Sequence, residues 1–199
     1  MVSRTRSEMI VETRSKLMAA GRRAFAEMGY AGASMDSFTS DVGLTRGALY
    51  HHFGNKKGLF QAVVAEIDAE MVSRLKARAA AAPNPWEGFV QEGIGYIEMA
   101  LEPEIQRIVM RDGPAVLGDP SSWPSAGGCL NAMRVGLEAL MESGVVRRID
   151  AEATARMLTG ASCYMAQWIA DAEDPVGTSI RVTAAYRALV EGLLNDRKV

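Results

Sequence analysis

Residues 34–57 read SMDSFTSDVGLTRGALYHHFGNKK, and this stretch decides the fold of the first part of the chain. Ser34 is a favourable N-cap. The apolar residues that follow it in the sequence are spaced three and four apart, which places them on one face of a short helix. Gly43 can adopt a positive φ and so allows the chain to turn. Thr45 can cap a second helix, whose outward face is polar, aromatic and basic. Two short helices joined by such a turn form a helix-turn-helix, whose second helix lies in the major groove of DNA.

The same stretch resembles the TetR family of bacterial one-component transcription regulators. The likeness rests on a run similar to T-x-x-x-L-Y-x-[HY]-F-x-x-K-x-x-L and on an upstream run similar to L-F-x-x-x-G-Y-x-x-[ST]. The matching residues are Thr45, Gly47, Leu49, Tyr50, His52, Phe53, Lys56 and Leu59 in the first run, and Phe25, Gly29, Tyr30 and Ser34 in the second. The likeness is strongest over residues 10–60. The chain departs from the family pattern at Phe38-Thr39, where Ile-Ala is frequent, although Phe38 still supplies an apolar anchor.

This resemblance implies an all-α protein built from two parts. Residues 1–54 are expected to form an N-terminal three-helix DNA-binding module that contains the helix-turn-helix. Residues 55–199 are expected to form a C-terminal helical domain that binds a small ligand and dimerises. The resemblance further implies a repressor that binds a palindromic operator on double-stranded DNA as a homodimer and is released by a small-molecule effector.

The resemblance also assigns DNA contacts to individual residues. The expected DNA-binding set is Ser34, Thr45, Arg46, Gly47, Tyr50, His51, His52 and Lys56. Tyr50, His52 and Lys56 match positions that contact phosphates, whereas Arg46 lies where the recognition helix meets base edges. The chemistry agrees, because the planar fork of Arg46 suits a guanine edge, while Lys56 offers a point charge that contributes affinity more than specificity.

The composition fits a globular helical protein with an uneven charge distribution. Hydrophobic residues make up 48% and charged residues 23% of the 199 residues, which indicates neither a disordered chain nor a fibre. Residues 1–58 hold nine Lys/Arg and five Asp/Glu, a net charge of +4, whereas the remainder carries thirteen basic and nineteen acidic residues, a net charge of −6. A positive helix-turn-helix part suits contact with phosphates, although an imbalance of this size also arises by chance.

Helical periodicity, caps and breaks predict the other elements. The expected helices are residues 10–29 before the motif and 55–80, 86–102, 104–111, 129–144, 151–172 and 178–195 after it. Residues 112–128 are rich in Gly and Pro and are expected to form a long loop. The helix 55–80 links the DNA-binding module to the rest of the chain.

The last two predicted helices carry enough apolar residues to pair with a second copy of the chain. Two such helices from each copy would form a four-helix bundle, and a homodimer suits a two-fold symmetric operator. The alternative is that these helices only close the core of the monomer.

A ligand pocket in the second half has weaker support from the sequence. The candidate ligand-binding residues are Tyr96, Met99, Arg107, Met110, Trp123, Met133, Tyr164 and Trp168. They combine apolar bulk with a few polar tips, as small-molecule sites do, and we expect a largely apolar effector. Ordinary core packing is the alternative for each of them. Arg107 could pair with an anionic ligand or with a neighbouring acidic residue.

Other function classes find little support in the sequence. His51 and His52 diverge by about 100° on a helix and so do not suit one metal ion, and the two cysteines form no C-x-x-C pair, so we expect no metal site. Gly93-Ile94-Gly95 lies in a helical pattern without a preceding strand, which argues against a nucleotide loop. We therefore expect no enzymatic activity and no cofactor. The sequence contains neither a signal-like segment nor an apolar run of membrane-spanning length, so we expect a cytoplasmic protein without a membrane partner.

Overall fold

The computed structural model describes residues 5–40, 42–124 and 126–195. The helices in these ranges are α1 Arg6–Gly32, α2 Met35–Ser40, α3 Arg46–Phe53, α4 Lys56–Ala80, α5 Pro85–Glu98, α6 Pro103–Ile105, α7 Gly113–Leu117, α8 Ala126–Glu142, α9 Ala151–Asp171 and α10 Pro175–Glu191. A π-helical segment, Gln106–Asp112, joins α6 to α7. The described residues form no β-strand, so the all-α prediction is confirmed.

An aromatic core holds the first three helices against the start of α4. Phe25, Phe38 and Phe60 are fully buried. The ring centroid of Phe25 lies 5.1 Å from that of Phe38 and 5.0 Å from that of Phe60. These tilted and edge-on contacts are the favourable geometries for aromatic pairs. The anchor role predicted for Phe38 is therefore confirmed.

A kink at Gly29 divides α1 near its end. Gly29 has a φ of +70°, a conformation that favours glycine, and its carbonyl accepts a hydrogen bond from the N–H of Ala33 at 3.1 Å. The helix was expected to end at Gly29. The last turn of α1 instead continues past the kink and brings the chain to α2.

α4 runs from the first three helices into the second half of the protein. Asn55 caps it, because its side-chain oxygen accepts from the N–H of Gly58 at 2.9 Å. One face of the helix is buried along its length through Leu59, Phe60, Val63, Val64, Ile67, Met71 and Leu75. Both the cap and the link predicted for this helix are confirmed.

Two glycines let α5 pack closely between α4 and α10. A Cβ atom at Gly93 would lie 2.1 Å from the hydroxyl oxygen of Tyr186, and one at Gly95 would lie 2.8 Å from Cδ2 of Leu75. Both distances are too short for a methyl group. The glycines of α5 therefore serve helix packing, in line with the argument against a nucleotide loop.

The chain differs from expectation after Pro103. A helix was predicted for 104–111 and a loop for 112–128, whereas helical structure continues through the π-helical segment and α7 to Leu117. Pro114 is tolerated because it occupies the first turn of α7, where no intrahelical donor is needed. Gly113 lies beneath the indole of Trp123, which a side chain at that position would meet.

The chain after α10 does not continue the helix to Asn195, as was expected. Residues 192–195 turn instead and pair with the segment after α8 through an antiparallel bridge between Val146 and Leu194. The N–H of Arg147 donates to the carbonyl of Leu193 at 3.0 Å, and the N–H of Asn195 donates to the carbonyl of Val145 at 3.0 Å. These bonds give partners to backbone groups of both segments. Within the described ranges, no helix combines the length and apolarity needed to cross a membrane.

Candidate functional site

The outer face of α3 presents most of the predicted DNA contacts to solvent. Thr45 caps the helix, with its hydroxyl accepting from the N–H of Ala48 at 3.3 Å, and Leu49 anchors it from below in the core. The exposed residues on this face are Arg46, Gly47, Tyr50 and His51. The nearest atom to a Cβ built on Gly47 would be Oγ1 of Thr45 at 3.6 Å, so the backbone there is open for close approach.

Ser34 lies just before α2, where its carbonyl accepts from the N–H of Phe38 at 3.4 Å. It thus occupies the predicted N-terminal position of that helix.

Arg46 forms an ion pair with an acidic residue of the neighbouring helix. Its Nε atom lies 2.5 Å from Oδ1 of Asp36, and its Nη2 atom contacts Oδ2 of the same carboxylate. This hydrogen bonding lowers the pKa of Asp36, so the carboxylate is ionised at neutral pH. The pair joins the first turn of α2 to the first turn of α3 across the turn at Gly43.

His52 differs from His51 in its surroundings. Its side chain is half-buried, whereas that of His51 is exposed. Burial lowers the pKa of His52, and the nearby His51 and Arg14 lower it further. The imidazole of His52 is therefore mainly uncharged at neutral pH and can offer a neutral hydrogen-bond donor to a phosphate.

Lys56 lies over the ring of Tyr30, with 4.4 Å between Nζ and the ring centroid. This cation–π contact holds the ammonium group in the first turn of α4, although a cation there opposes the helix dipole. Backbone N–H groups point outward at the same helix end, so the N-terminus of α4 and Lys56 together form an arrangement suited to a phosphate.

The junction between α3 and α4 depends on a residue that sequence reasoning missed. A Cβ atom at Gly58 would lie 2.0 Å from the carbonyl oxygen of Phe53. Only glycine fits there, so Gly58 sets how closely α3 approaches α4. A glycine in the first turn of an otherwise regular helix was the available signal.

Five of the predicted ligand-binding residues lie in or against the interior of the second half. Met99 and Met110 are buried, and Trp123 packs against the core and donates its indole N–H to the carbonyl of Gly118 at 3.2 Å. The hydroxyl of Tyr96 lies 3.5 Å from Sγ of Cys163, which joins α5 to α9. The sulfur of Met133 accepts from the hydroxyl of Thr159 at 3.5 Å, which joins α8 to α9.

The other three lie elsewhere. Arg107 packs against the end of α1, where it donates to the carbonyl of Met28 at 3.1 Å. Tyr164 and Trp168 point outward from α9, with 70% and 46% of their side chains exposed. The structure therefore does not bring these three together with the interior group.

Two family models match the chain. Residues 17–63 match the family described as bacterial regulatory proteins, tetR family, and residues 86–193 match the tetracyclin repressor-like C-terminal domain. The chain belongs to the TetR family.

A solved structure of a TetR-family transcriptional regulator from Pectobacterium atrosepticum is 48% identical to this TetR-family chain. The likeness covers 96% of this chain and 98% of that one, with a TM-score of 0.86. The fold is also shared with AibR, whose crystal structure was determined in complex with isovaleryl coenzyme A and operator DNA. That protein is 19% identical, with a TM-score of 0.61, and the likeness covers 92% of this chain and 98% of AibR.

Among curated relatives, the transcriptional repressor AcnR of Corynebacterium efficiens is 30% identical over 102 residues, which is 51% of this chain and 53% of AcnR. The chain spans about half the length of the curated relatives it matches. These relatives are named as transcriptional repressors.

The structure gives contacts to two residues, Asp36 and Gly58, that the motif did not indicate. The contact of Asp36 with Arg46 depends on the turn that folds α2 against α3. In the part of the chain that the structure describes, no group of three or more His, Cys, Asp or Glu side chains is arranged to hold a metal ion.

Proposed function

We propose that this TetR-family protein is a ligand-responsive transcriptional repressor, with a DNA-binding domain at 1–54 and a ligand-binding and dimerisation domain at 55–199. It binds a near-palindromic operator as a homodimer, and a small molecule releases it. The observation that carries this proposal is the exposed polar face of α3 together with the N-terminus of α4. Arg46, Tyr50 and Lys56 lie on it beside the open backbone of Gly47.

Dimerisation follows from the outer faces of α9 and α10. The large apolar residues exposed there are Met157, Tyr164, Trp168, Val176, Ile180 and Leu189. A monomer rarely exposes so many large apolar side chains on two adjacent helices. A second copy that covers them by two-fold symmetry would form a four-helix bundle. Tyr164 and Trp168, first considered for the ligand pocket, fit this interface better because they are exposed.

The dimer supplies the geometry that a palindromic operator needs. Two recognition helices related by a two-fold axis must lie about one turn of DNA apart, roughly 34 to 36 Å, to enter successive major grooves. Any movement that changes this separation weakens binding to both half-sites at once.

Ion pairs and backbone contacts couple the second half of the protein to the DNA-binding module. Arg22 of α1 bonds Glu70 of α4 at 2.7 Å and Glu104 of α6 at 2.7 Å. Asp112, in the π-helical segment, accepts from the N–H of Tyr30 at 2.7 Å just past the kink in α1. A ligand that alters the packing of α4 or of the π-helical segment would therefore alter the position of α1 and α3. It can act only through a difference in its affinity for the DNA-bound and released forms.

The experiment that tests this function places an operator, selected from random duplexes, upstream of a reporter gene. We expect the protein to lower reporter expression. We expect at least one fraction of a metabolite panel to restore this expression and to weaken operator binding in vitro. An increase in expression would favour an activator. Operator affinity that no fraction of the panel changes would contradict the ligand response.

A further inference from the structure

Arg14 of α1 lies against the end of the recognition helix. Its guanidinium carbon is 5.2 Å from the centroid of the Phe53 ring, and Phe53 is the last residue of α3. The ring centroid of His52, which is expected to contact phosphate, lies 6.2 Å from that of Phe53. These two distances place a cation of α1 beside the residues that end α3.

The surroundings of Arg14 differ from those of Arg22, another arginine of α1. Arg22 is bonded to Glu70 and to Glu104, each at 2.7 Å. The side chain of Arg14 is exposed, and among the described residues it makes neither an ion pair nor a hydrogen bond. Contact with a ring, unlike an ion pair, leaves the charge of a guanidinium uncompensated and its N–H donors available. Arg14 can therefore bind an anion without first leaving a carboxylate.

The junction between α3 and α4 is open beside Arg14. Gly54 has a φ of +74°, and a Cβ atom built on it would meet no atom of the described residues within 4 Å. Phe53 and Lys56 flank this glycine in the chain, and Lys56 lies over the ring of Tyr30 at 4.4 Å. Two cations, each held on an aromatic ring, thus lie at the two helix ends that meet at Gly54.

We propose that Arg14 binds a phosphate of the DNA backbone when α3 lies in the major groove, and so extends the DNA-facing surface onto α1. The planar guanidinium suits a bidentate contact with phosphate oxygens. Phosphate contacts fix the position of a protein on the duplex and carry no sequence information. Arg14 therefore contributes affinity and orients α3, whereas Arg46 reads the base. The inference rests on the proposed DNA-binding function, to which it adds a residue outside the helix-turn-helix.

A purely structural role for Arg14 would have different consequences. A cation at the C-terminal end of a helix stabilises that helix through its dipole, and the contact with Phe53 adds to this effect. Loss of such a role lowers the free energy of unfolding. Loss of a phosphate contact instead lowers the slope of log K against log salt, by about 0.9 for each phosphate. The salt dependence of DNA binding therefore distinguishes the two roles.

The first test is Arg14→Gln in the full chain, with Arg23→Gln as the matched control. Arg23 is also an exposed arginine of α1, but it adjoins Arg22, which contacts Glu66 and Glu70 well inside α4. Fluorescence anisotropy measures the affinity for an operator and for a scrambled duplex at several salt concentrations.

We expect Arg14→Gln to lower the affinity for both duplexes by about fivefold, and to lower the salt slope by about 0.9 for each subunit. Arg23→Gln should leave the slope unchanged. An unchanged slope in Arg14→Gln, or an equal decrease in Arg23→Gln, would overturn the proposal.

The second test locates the phosphate with operators that each carry one neutral methylphosphonate. At one position of each half-site, the wild type and Arg23→Gln should lose about fivefold in affinity, while Arg14→Gln loses nothing further because its contact is already gone. Circular dichroism shows whether each variant is folded. Arg14→Met, which keeps an apolar chain over Phe53, serves the same comparison if Arg14→Gln does not fold. Additive losses at every position would refute the contact.

The two duplexes separate this inference from the proposed function. If the wild type prefers an operator but Arg14→Gln shows the same salt slope, only the role of Arg14 is wrong. If the wild type shows no preference for any sequence and the slope still falls in Arg14→Gln, the phosphate contact stands and the operator function is wrong.

Discussion

The guanidinium of Arg46 lies alongside the carboxylate of Asp36, with 2.5 Å between Nε and Oδ1, on the surface proposed to face DNA. In the absence of DNA, the carboxylate of Asp36 neutralises the charge of Arg46. On DNA, a base edge would take the place of the carboxylate. Both side chains are more than 60% exposed, at 62% and 65%, so the exchange costs little. Asp36 should therefore weaken binding to DNA that lacks the right base more than binding to the operator.

Asp36→Asn should raise the affinity for non-specific DNA. It should therefore lower the ratio of the affinity for the operator to the affinity for a scrambled duplex. The reason is that the variant removes a negative charge facing phosphate and frees Arg46 to contact the backbone. Fluorescence anisotropy with both duplexes at two salt concentrations measures this ratio. Glu142→Gln, an equal charge change at the exposed end of α8, is the control and should leave the ratio unchanged. A constant ratio in Asp36→Asn would exclude this role.

Arg46 and Lys56 should contribute differently to DNA binding. Arg46→Ala should relax base preference at one position of each half-site by roughly tenfold, whereas Lys56→Ala should weaken binding to all sequences and reduce the slope of log K against log salt by about 1. Lys76→Ala, on α4 but far from α3, controls for the lost charge. Titrations of operator variants at several salt concentrations measure both effects. The division of roles is refuted if both variants weaken all sequences alike.

The apolar face of α9 and α10 should hold the dimer together. Ile180→Asp introduces a charge at a side chain that is 66% exposed in the single chain, so it should leave the fold intact and yield a monomer that binds the operator weakly. Val11→Asp is the matched control, because Val11 is also 66% exposed but lies on α1. Sedimentation velocity gives the oligomeric state. A dimeric Ile180→Asp protein would place the interface elsewhere.

Gly29 should be essential for the junction between α1 and the π-helical segment. A Cβ atom there would lie 2.2 Å from Nη2 of Arg107, and the φ of +70° disfavours any other residue. Gly29→Ala should lower the free energy of unfolding by about 1 to 3 kcal/mol. Gly32→Ala is the control, since its nearest neighbour would be Cβ of Met28 at 3.4 Å. Urea unfolding at one fixed protein concentration compares the stabilities of the two variants. Equal stabilities would show that an alanine at position 29 causes no strain.

The ion pair between Glu87 and Arg187 should make stability depend on acid pH. Hydrogen bonds from Arg187, and then from Gln91, lower the pKa of Glu87 from its ordinary 4.5 to about 2. A lowered pKa in the folded state means that the stabilisation is present above pH 4.5 and is lost as the pH falls towards 2. Glu87→Gln should therefore be less stable at neutral pH and lose less stability on acidification. Thermal unfolding from pH 7 to pH 3 measures how the stability of each protein depends on pH. The control is Glu173→Gln, a substitution at an exposed residue. If stability falls in parallel with pH in the wild type and in Glu87→Gln, the prediction is contradicted.

The helix-turn-helix was predictable because its determinants are local. Thr45 and Asn55 cap helices with their own side chains, and Gly43 has a φ of +64° at the turn. Each of these features depends on residues within a few positions along the chain. The family and the all-α fold were confirmed for the same reason, since caps, breaks and helical periodicity recur throughout the sequence.

Contacts between distant residues could not be predicted. Arg107 was considered for the ligand pocket, but the π-helical segment turns it towards Met28, 79 residues earlier in the chain. Tyr164 and Trp168 follow the helical spacing of a buried face, yet α9 carries apolar residues on two sides and packs only one of them against the rest of the chain. Which side faces inward depends on the packing of α5, α8 and α10, which a single helix pattern does not encode.

The most direct test of the central claim is selection of bound sequences from a random duplex library by the purified protein at two salt concentrations. A dimeric regulator with two symmetric recognition helices should enrich an inverted repeat whose half-sites lie about one helical turn apart, and the enrichment should increase at the higher salt concentration. Retention that depends on salt but enriches no sequence would contradict the claim that α3 and Arg46 read an operator.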